Sequence, residues 1–242
     1  MKPPTTQTAY DDLPTIALMT MAFNPVYTKH SLINGYHQIY PADKIVHVLL
    51  HQDPYPPHIE HDLDPYRVVE LDIPGTWSAV WCFKLYAFLD YCKQEGIEYM
   101  AFWDEDDIFP PYYLWAGVDN LLNDAGGADI TWTSYNLAVK RGSVQKIYYD
   151  NPVGNAIGKV SAFAEAADAL NIRNPKGLRR GTSKGAIDDL YWHLLRDNAN
   201  VYNRREDIPL RSYVFHGLAN TLIHRKAEDN IDYNWKWERS QE

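Results

Sequence analysis

The pattern of apolar and polar positions in the first half of the chain alternates between two periods. Short apolar runs, several of them β-branched, predict four strands, at residues 15–23, 44–50, 66–71 and 97–103. Apolar residues at helical spacing between these runs predict two helices, at residues 27–40 and 78–94. Strands and helices that alternate at this spacing predict an α/β fold, in which a mostly parallel sheet is flanked by helices.

The second half of the chain is less regular. Further helices are predicted at residues 112–122, 161–170 and 187–196, and further strands at 129–135 and 144–149. Arg141-Gly142 suits the turn of a hairpin in this region, and residues 174–185 form a loop rich in Gly and basic residues. We expect one domain over residues 15–226, with a polar extension at 1–14 and a polar tail at 227–242.

Composition and charge narrow the possible functions. The 242 residues are 45% hydrophobic and 23% charged, which suffices for a packed core and excludes wholesale disorder. A net charge of −9 argues against a surface that binds polyanions all over, although a local basic patch stays possible. The N-terminal residues lack the pattern of a signal peptide, and no apolar run has the length of a membrane span, so we expect a cytoplasmic protein without membrane insertion.

The strongest chemical signal is the segment FWDEDDIFPPYYL, residues 102–114. Here an apolar strand is followed directly by four acidic residues, and the carboxyl ends of strands are where open α/β sheets bind ligands. Adjacent carboxylates repel one another, so a divalent cation with oxygen ligands is a natural remedy, and that cation would bind a diphosphate. The alternative is a solvated acidic turn that caps the following helix, and the pattern alone leaves both open.

This segment resembles the Asp-x-Asp segment of GT-A glycosyltransferases, in particular the large inverting family two. In that family an apolar strand ends in Asp-x-Asp followed by Ile-x-x-Pro-x-x-Leu, and here Asp104-Glu105-Asp106 is followed by Ile108, Pro111 and Leu114. Further segments agree in order along residues 15–196. The first is the turn Phe23-Asn24-Pro25, which lacks the family's Arg, and the second is Asp53, which lacks the family's usual Asp-x-x-Ser pattern. The third is residues 75–79, with Lys84 one helical turn further along. The last is the pair Asp188-Asp189.

The resemblance implies the GT-A fold and a metal-dependent transfer of a sugar, with inversion, from a nucleotide-diphosphate sugar, expected to be a UDP-sugar. Asp106 would hold Mn²⁺ or Mg²⁺, Asp104 would hold the metal or the ribose, and His216 would be another metal ligand. Asn24, Asp53 and Lys84 would contact the donor. Asp189 would be the general base, with Asp188 as the second choice. Without the resemblance, the Asp pair suits a helix cap and His216 suits a structural role.

A basic stretch precedes the candidate base. It consists of Arg173, Lys176, Arg179, Arg180 and Lys184. The stretch could clamp the donor phosphates, contact a polyanionic acceptor such as DNA with a hydroxymethylated base, as in a viral DNA-modifying enzyme, or be a solvated loop.

Several interpretations of the function stay open. The acceptor could instead be a glycan or a small molecule, and the oligomeric state is open. Two other function classes are a nucleotidyltransferase and a catalytically silent sugar-binding relative. The histidines at 47, 51, 58 and 61 suggest a zinc site, but no cysteine lies near them to support this interpretation.

Overall fold

The computed structural model describes residues 8–51, 62–73, 77–123, 127–133, 135–140, 143–148, 156–169, 201–204 and 212–214. The described strands are β1 (Ile16–Met21), β2 (Ile45–His51), β3 (Arg67–Asp72), β4 (Tyr99–Phe102), β5 (Ile130–Thr133), β6 (Tyr135–Lys140), β7 (Ser143–Tyr148), β8 (Ile157–Lys159), β9 (Val201–Arg204) and β10 (Ser212–Val214). The described α-helices are α1 (Pro25–Tyr36), α2 (Trp77–Gln94), α3 (Tyr113–Asn123) and α4 (Val160–Ala169).

The main sheet has the order β3-β2-β1-β4-β8-β5-β9. Strands β1 to β4 are parallel, β8 runs antiparallel to both β4 and β5, and β9 is parallel to β5. The predicted α/β class and the mostly parallel sheet are therefore confirmed. The sequence analysis missed β8 and β9, because strands of three and four residues carry little periodic signal.

A second sheet of three strands has the order β10-β6-β7. Strands β6 and β7 pair antiparallel, with Lys140 opposite Ser143, so they form a hairpin connected by Arg141-Gly142 as predicted, but its first arm is β6 and not residues 129–135. The sequence analysis ended its strand at Tyr135, whereas β6 begins there, so the first arm of the hairpin was missed.

Both faces of the main sheet are covered. Side chains alternate along each strand, so β1 sends Ala17 and Met19 to one buried cluster and Ile16 and Leu18 to the other. Helices α2 and α4 pack on the first face, through residues that include Leu85, Phe88, Phe163 and Ala166. Helices α1 and α3 pack on the second face, through residues that include Leu32, Leu114 and Val118. These three layers leave the carboxyl ends of β1, β2 and β4 together at one edge.

Helix α1 begins two residues earlier and ends four residues earlier than the pattern predicts. The side chain of Asn24 accepts a hydrogen bond from the Val26 amide at 3.0 Å, which makes Asn24 the N-cap. Pro25 suits the first helical position because its missing N–H would have no partner there. The cap therefore moves the start of the helix towards β1.

Residues at the amino end of the described chain pack on α3. The Thr8 amide donates to Asp119 at 2.5 Å, and the Tyr10 and Trp115 rings meet edge to face. Leu13 is buried in the cluster that contains α3. This part of the polar extension expected at residues 1–14 therefore contacts the domain.

A buried chain of hydrogen bonds links β1, β2 and the end of β4. Thr20 Oγ1 donates its only proton to the Trp103 carbonyl at 2.7 Å, so it must accept from His47 Nε2, also at 2.7 Å. His47 Nδ1 then accepts from the Tyr66 hydroxyl at 2.6 Å. His47 is thus a satisfied core histidine, and the chain of bonds holds the residue just before the acidic segment.

Gly35 leaves the space that this network needs. A Cβ at this position of α1 would overlap the Tyr66 hydroxyl and lie 3.2 Å from His47 Nδ1. We expect Gly35→Ala to lower the free energy of unfolding by about 1–3 kcal/mol, because a buried hydrogen bond is lost. This loss exceeds the gain of about 0.5–1 kcal/mol that Ala usually brings to a helix. Urea unfolding measures the difference.

Tyr66→Phe supplies the matched background, because it removes the nearest of the atoms that the new methyl group would meet. Gly35→Ala should cost less in Tyr66→Phe than in the wild type, which gives a non-zero coupling energy. A Gly35→Ala protein more stable than the wild type would contradict the role assigned to the glycine.

Candidate active site

The acidic turn, Asp104 to Asp107, follows β4 and Trp103. It is closed by the Asp107 amide, which donates to the Asp104 carbonyl at 3.3 Å. Exposure alternates along the turn: Asp104 and Asp106 are half-buried, whereas Glu105 and Asp107 are only 7% and 4% exposed. The two acids of the Asp-x-Asp pattern therefore keep access to solvent while their neighbours do not.

Glu105 turns inward to the connection between β1 and α1. Its Oε2 accepts from the Phe23 amide at 3.1 Å and from the Thr28 hydroxyl at 2.7 Å, and the Asn24 amide lies 3.2 Å from Oε1. Burial raises the pKa of Glu105 to about 8, and these donors act in the opposite direction. The carboxylate also lies at the start of α1, where the helix dipole favours negative charge.

The sequence analysis assigned Glu105 no role. The sequence carries no clear signal for this role, because Glu105 lies in a turn after β4, where the alternation of strand side chains does not apply. The acidic segment follows β4, and the structure divides its four acids into a half-buried pair and a buried pair.

Lys84 lies on α2 and is completely buried. Its Nζ donates to the Leu50 carbonyl at 2.7 Å and lies 4.2 Å from the centre of the Phe23 ring. It therefore joins α2 to the carboxyl ends of β1 and β2, through a hydrogen bond and a cation–π contact. The ammonium group is directed at the protein rather than at open solvent.

The structure brings four of the sequence-predicted site residues to one edge of the sheet. They are Asn24, Lys84, Asp104 and Asp106, which follow or adjoin the ends of β1, β2 and β4. The other predicted site residues lie outside the described residues: Asp53, Arg179, Arg180, Asp188, Asp189 and His216. Their assignments stay predictions.

The carboxylates of the acidic turn provide some, but not all, of the ligands that a hard divalent cation needs. Within the described residues, no group of three or more His, Cys, Asp or Glu side chains is arranged to hold a metal ion. Asp104 and Asp106 offer two carboxylates with access to solvent. Mg²⁺ is commonly held by one or two carboxylates, with substrate phosphates and water completing the shell, so this pair fits such an ion.

A cleft of about 560 Å³ lies elsewhere, between α2 and α4. Its lining includes Ile97, Tyr99, Lys159 and Val160, at the amino end of β4. It is therefore on the opposite edge of the sheet from the acidic turn, and we do not assign the donor to it.

No family model and no curated protein matches this sequence. Among solved structures, the chain is similar to TarS 1–349 of S. aureus in complex with UDP, with a TM-score of 0.56 and 15% identity over 83% of this chain and 60% of that one. A second structure of TarS 1–349 gives 0.53, and TarS gives 0.51 with 36% of its chain covered, both at 15% identity. The chain thus spans about 60% of the length of the TarS fragment.

TarS is a GT-A-type glycosyltransferase, and the likeness confirms the predicted GT-A fold of this chain. The narrower assignment to family two stays a prediction. In the part of the chain that the structure describes, no helix combines the length and apolarity needed to cross a bilayer.

His51 ends β2 at the same edge and is 2% exposed. Burial lowers the pKa of its imidazole, while Glu70, whose Oε2 lies 3.3 Å from Nε2, and Asp72 act in the opposite direction. The neutral ring is therefore the form that the fold favours.

This burial predicts a dependence of stability on pH. Below the ordinary histidine pKa of 6.5, the unfolded chain binds a proton at His51 that the folded chain does not, so stability falls as pH falls. We expect His51→Gln to reduce the slope of unfolding free energy against pH between 6.5 and 5, measured by urea titration. His30→Gln, on the exposed side of α1, should keep the wild-type slope. Equal slopes for His51→Gln and the wild type would contradict the prediction.

Proposed function

We propose that this protein is a metal-dependent glycosyltransferase with a catalytic domain over residues 15–226. It transfers a sugar from a UDP-sugar to an acceptor hydroxyl, with inversion at the anomeric carbon. The observation that carries the proposal is the acidic turn, which exposes Asp104 and Asp106 at the carboxyl edge of a GT-A sheet. The UDP in one of the similar structures supports the choice of donor.

In this proposal, Asp106 holds Mn²⁺ or Mg²⁺, Asp104 holds the ion or the ribose, and His216 is a further ligand. A bound divalent ion supplies charge neutralisation for the leaving diphosphate. Asn24 and Asp53 border the nucleotide. Arg179 and Arg180 contact the phosphates of the DNA acceptor, and the donor phosphates are the alternative.

Lys84 contributes its positive charge to the donor site from within the core. Its Nζ stays on the Leu50 carbonyl, so it adds positive potential beneath the edge of the sheet without leaving the core. This role is compatible with complete burial, whereas a direct contact would require the hydrogen bond to break.

The general base is Asp189, with Asp188 as the alternative. The carboxylate removes the proton of the acceptor hydroxyl while the oxygen attacks the anomeric carbon. One carbon–oxygen bond forms, the bond to the diphosphate breaks, and the nucleoside diphosphate leaves with the electron pair.

The acceptor is a hydroxymethylated base in DNA, on the argument of the basic stretch between Arg173 and Lys184. Glycans and small molecules are the competing acceptors. A panel of nucleotide sugars with Mn²⁺ or Mg²⁺, scored for hydrolysis, transfer and thermal shift, tests the proposal. Nucleotidyl transfer from nucleoside triphosphates, or UDP-sugar binding without any turnover, would favour the two rival classes.

Removal of the metal ligand should remove activity. Asp106→Ala leaves the diphosphate charge uncompensated, so transfer should be abolished while the thermal unfolding midpoint stays close to that of the wild type. Asp43→Ala removes an exposed carboxylate at the amino end of β2, on the opposite edge, and should keep full activity. Full wild-type activity after exhaustive chelation would show that the metal assignment is wrong.

Removal of the base should slow turnover but keep the donor bound. Asp189→Asn keeps the shape of the side chain and should cost about a hundredfold or more in kcat. Calorimetry with UDP checks that donor affinity is retained. A damaging Asp188→Asn with a mild Asp189→Asn would exchange the two roles, and two mild variants would leave the pair as a helix cap.

The salt dependence of DNA binding tests the acceptor. Replacing Arg179 and Arg180 together with Ala should flatten the slope of log affinity against log salt by roughly one unit per lost phosphate contact. UDP affinity, measured in parallel, should change little. Loss of UDP binding by a protein whose wild type never binds DNA would place the stretch on the donor and favour a neutral acceptor.

A further inference from the structure

Glu105 lies between the two candidate metal ligands but contacts a different part of the molecule. Its carboxylate accepts from the Phe23 and Asn24 amides, on the connection from β1 to α1, and from the Thr28 hydroxyl, in the first part of α1. It therefore joins two segments that are about eighty residues apart in sequence, since the hydrogen bond to Phe23 spans 82 positions.

Capping of α1 does not by itself require this carboxylate. Asn24 already caps the helix with its own side chain, through the Val26 amide. The Thr28 hydroxyl also has a second acceptor, the Asn24 carbonyl at 2.9 Å. What Glu105 adds is the link between the acidic turn and the Phe23–Asn24 connection.

The acidic turn is held on the other side as well. The carbonyl of Trp103 accepts from Thr20, and its amide donates to the Met19 carbonyl at 2.9 Å. Asp104 thus follows Trp103, whose backbone amide and carbonyl are both hydrogen-bonded to residues of β1. Asp106 follows Glu105, which is held through its side chain. Loss of Glu105 would remove the hydrogen bonds that join the turn to the Phe23–Asn24 connection.

We propose that Glu105 is a positioning residue that holds Asp104 and Asp106 in place against the Phe23–Asn24 connection, so that the metal side and the nucleotide side of the donor site form together. This inference rests on the proposed function. Partners that orient metal ligands in this way typically change metal affinity 10–100-fold when they are replaced.

Reach and charge can be separated at this position. Glu105→Gln keeps the length and an oxygen that can occupy the Oε2 position, but it cannot ionise. Glu105→Asp keeps an ionisable carboxyl group but is shorter by one methylene, so it cannot reach the same donors. Positioning requires reach, whereas simple attraction of a cation requires charge.

The experiment measures binding of MnCl₂ in the presence of saturating UDP, by calorimetry on the full chain, with the unfolding midpoint of each variant recorded. We expect Glu105→Gln to bind Mn²⁺ close to the wild type, and Glu105→Asp and Glu105→Ala to lose about tenfold or more. Amide hydrogen exchange at Phe23 and Asn24 should be faster in the two weak variants only.

Thr28 provides a milder test if the Glu105 variants do not fold. Thr28→Val removes one donor to Glu105 at nearly constant volume, and Thr28→Ser keeps it. Mn²⁺ affinity should fall in Thr28→Val and be restored in Thr28→Ser.

Two results would overturn the proposal. Wild-type affinity in Glu105→Asp with weak binding in Glu105→Gln would assign the effect to charge. Unchanged Mn²⁺ affinity in Glu105→Ala, with only a lower unfolding midpoint, would leave Glu105 a purely structural residue. A wild type that binds neither UDP nor Mn²⁺ with UDP is a separate outcome, which defeats the proposed function and the positioning role with it.

Discussion

The hydrogen bond from Thr20 to the Trp103 carbonyl connects the interior of the sheet to the candidate site. Thr20 is fully buried on β1, and its hydroxyl group donates its single proton to the Trp103 carbonyl. This one donation settles the direction of every following bond, from His47 to Thr20 and from Tyr66 to His47. The position at which the acidic turn follows β4 is therefore determined by buried groups that no ligand can reach.

Burial makes this arrangement sensitive to small changes. In a region of low dielectric constant, a polar group left without a partner costs more than its hydrogen bond contributes when made. Gly35 shows the consequence, because a single methyl group would displace the Tyr66 hydroxyl from His47. The same argument applies at Glu105, because loss of its buried side chain would leave the Phe23 amide without that acceptor.

Sequence reasoning recovered the parts of the structure that have a clear period. Strands β1 to β4, helices α2 and α3, and the place of Asp104 and Asp106 after a strand all follow from runs of apolar residues and the acids behind them. It did not recover β8, because Ile157–Lys159 is too short to show alternation and its partners are distant in sequence. His47 was grouped with nearby histidines, since its partners Thr20 and Tyr66 meet it only in the folded sheet. Glu105 was given no role, because its partners at Phe23, Asn24 and Thr28 are also distant in sequence.

The reversed direction of β8 has a consequence for how such a protein can diversify. Because β8 opposes both of its neighbours, β5 and β9 run in the same direction as β1 to β4. The carboxyl end of β5 therefore faces the edge that carries the acidic turn, and β6 and the small sheet begin there. The main sheet is divided into a half built from β1 to β4 and an appended half built from β8, β5 and β9, in which β5 ends at the same edge. Mutations that lengthen or reshape the appended half can alter which molecule approaches the edge, while the hydrogen bonds that align the acids are inherited unchanged.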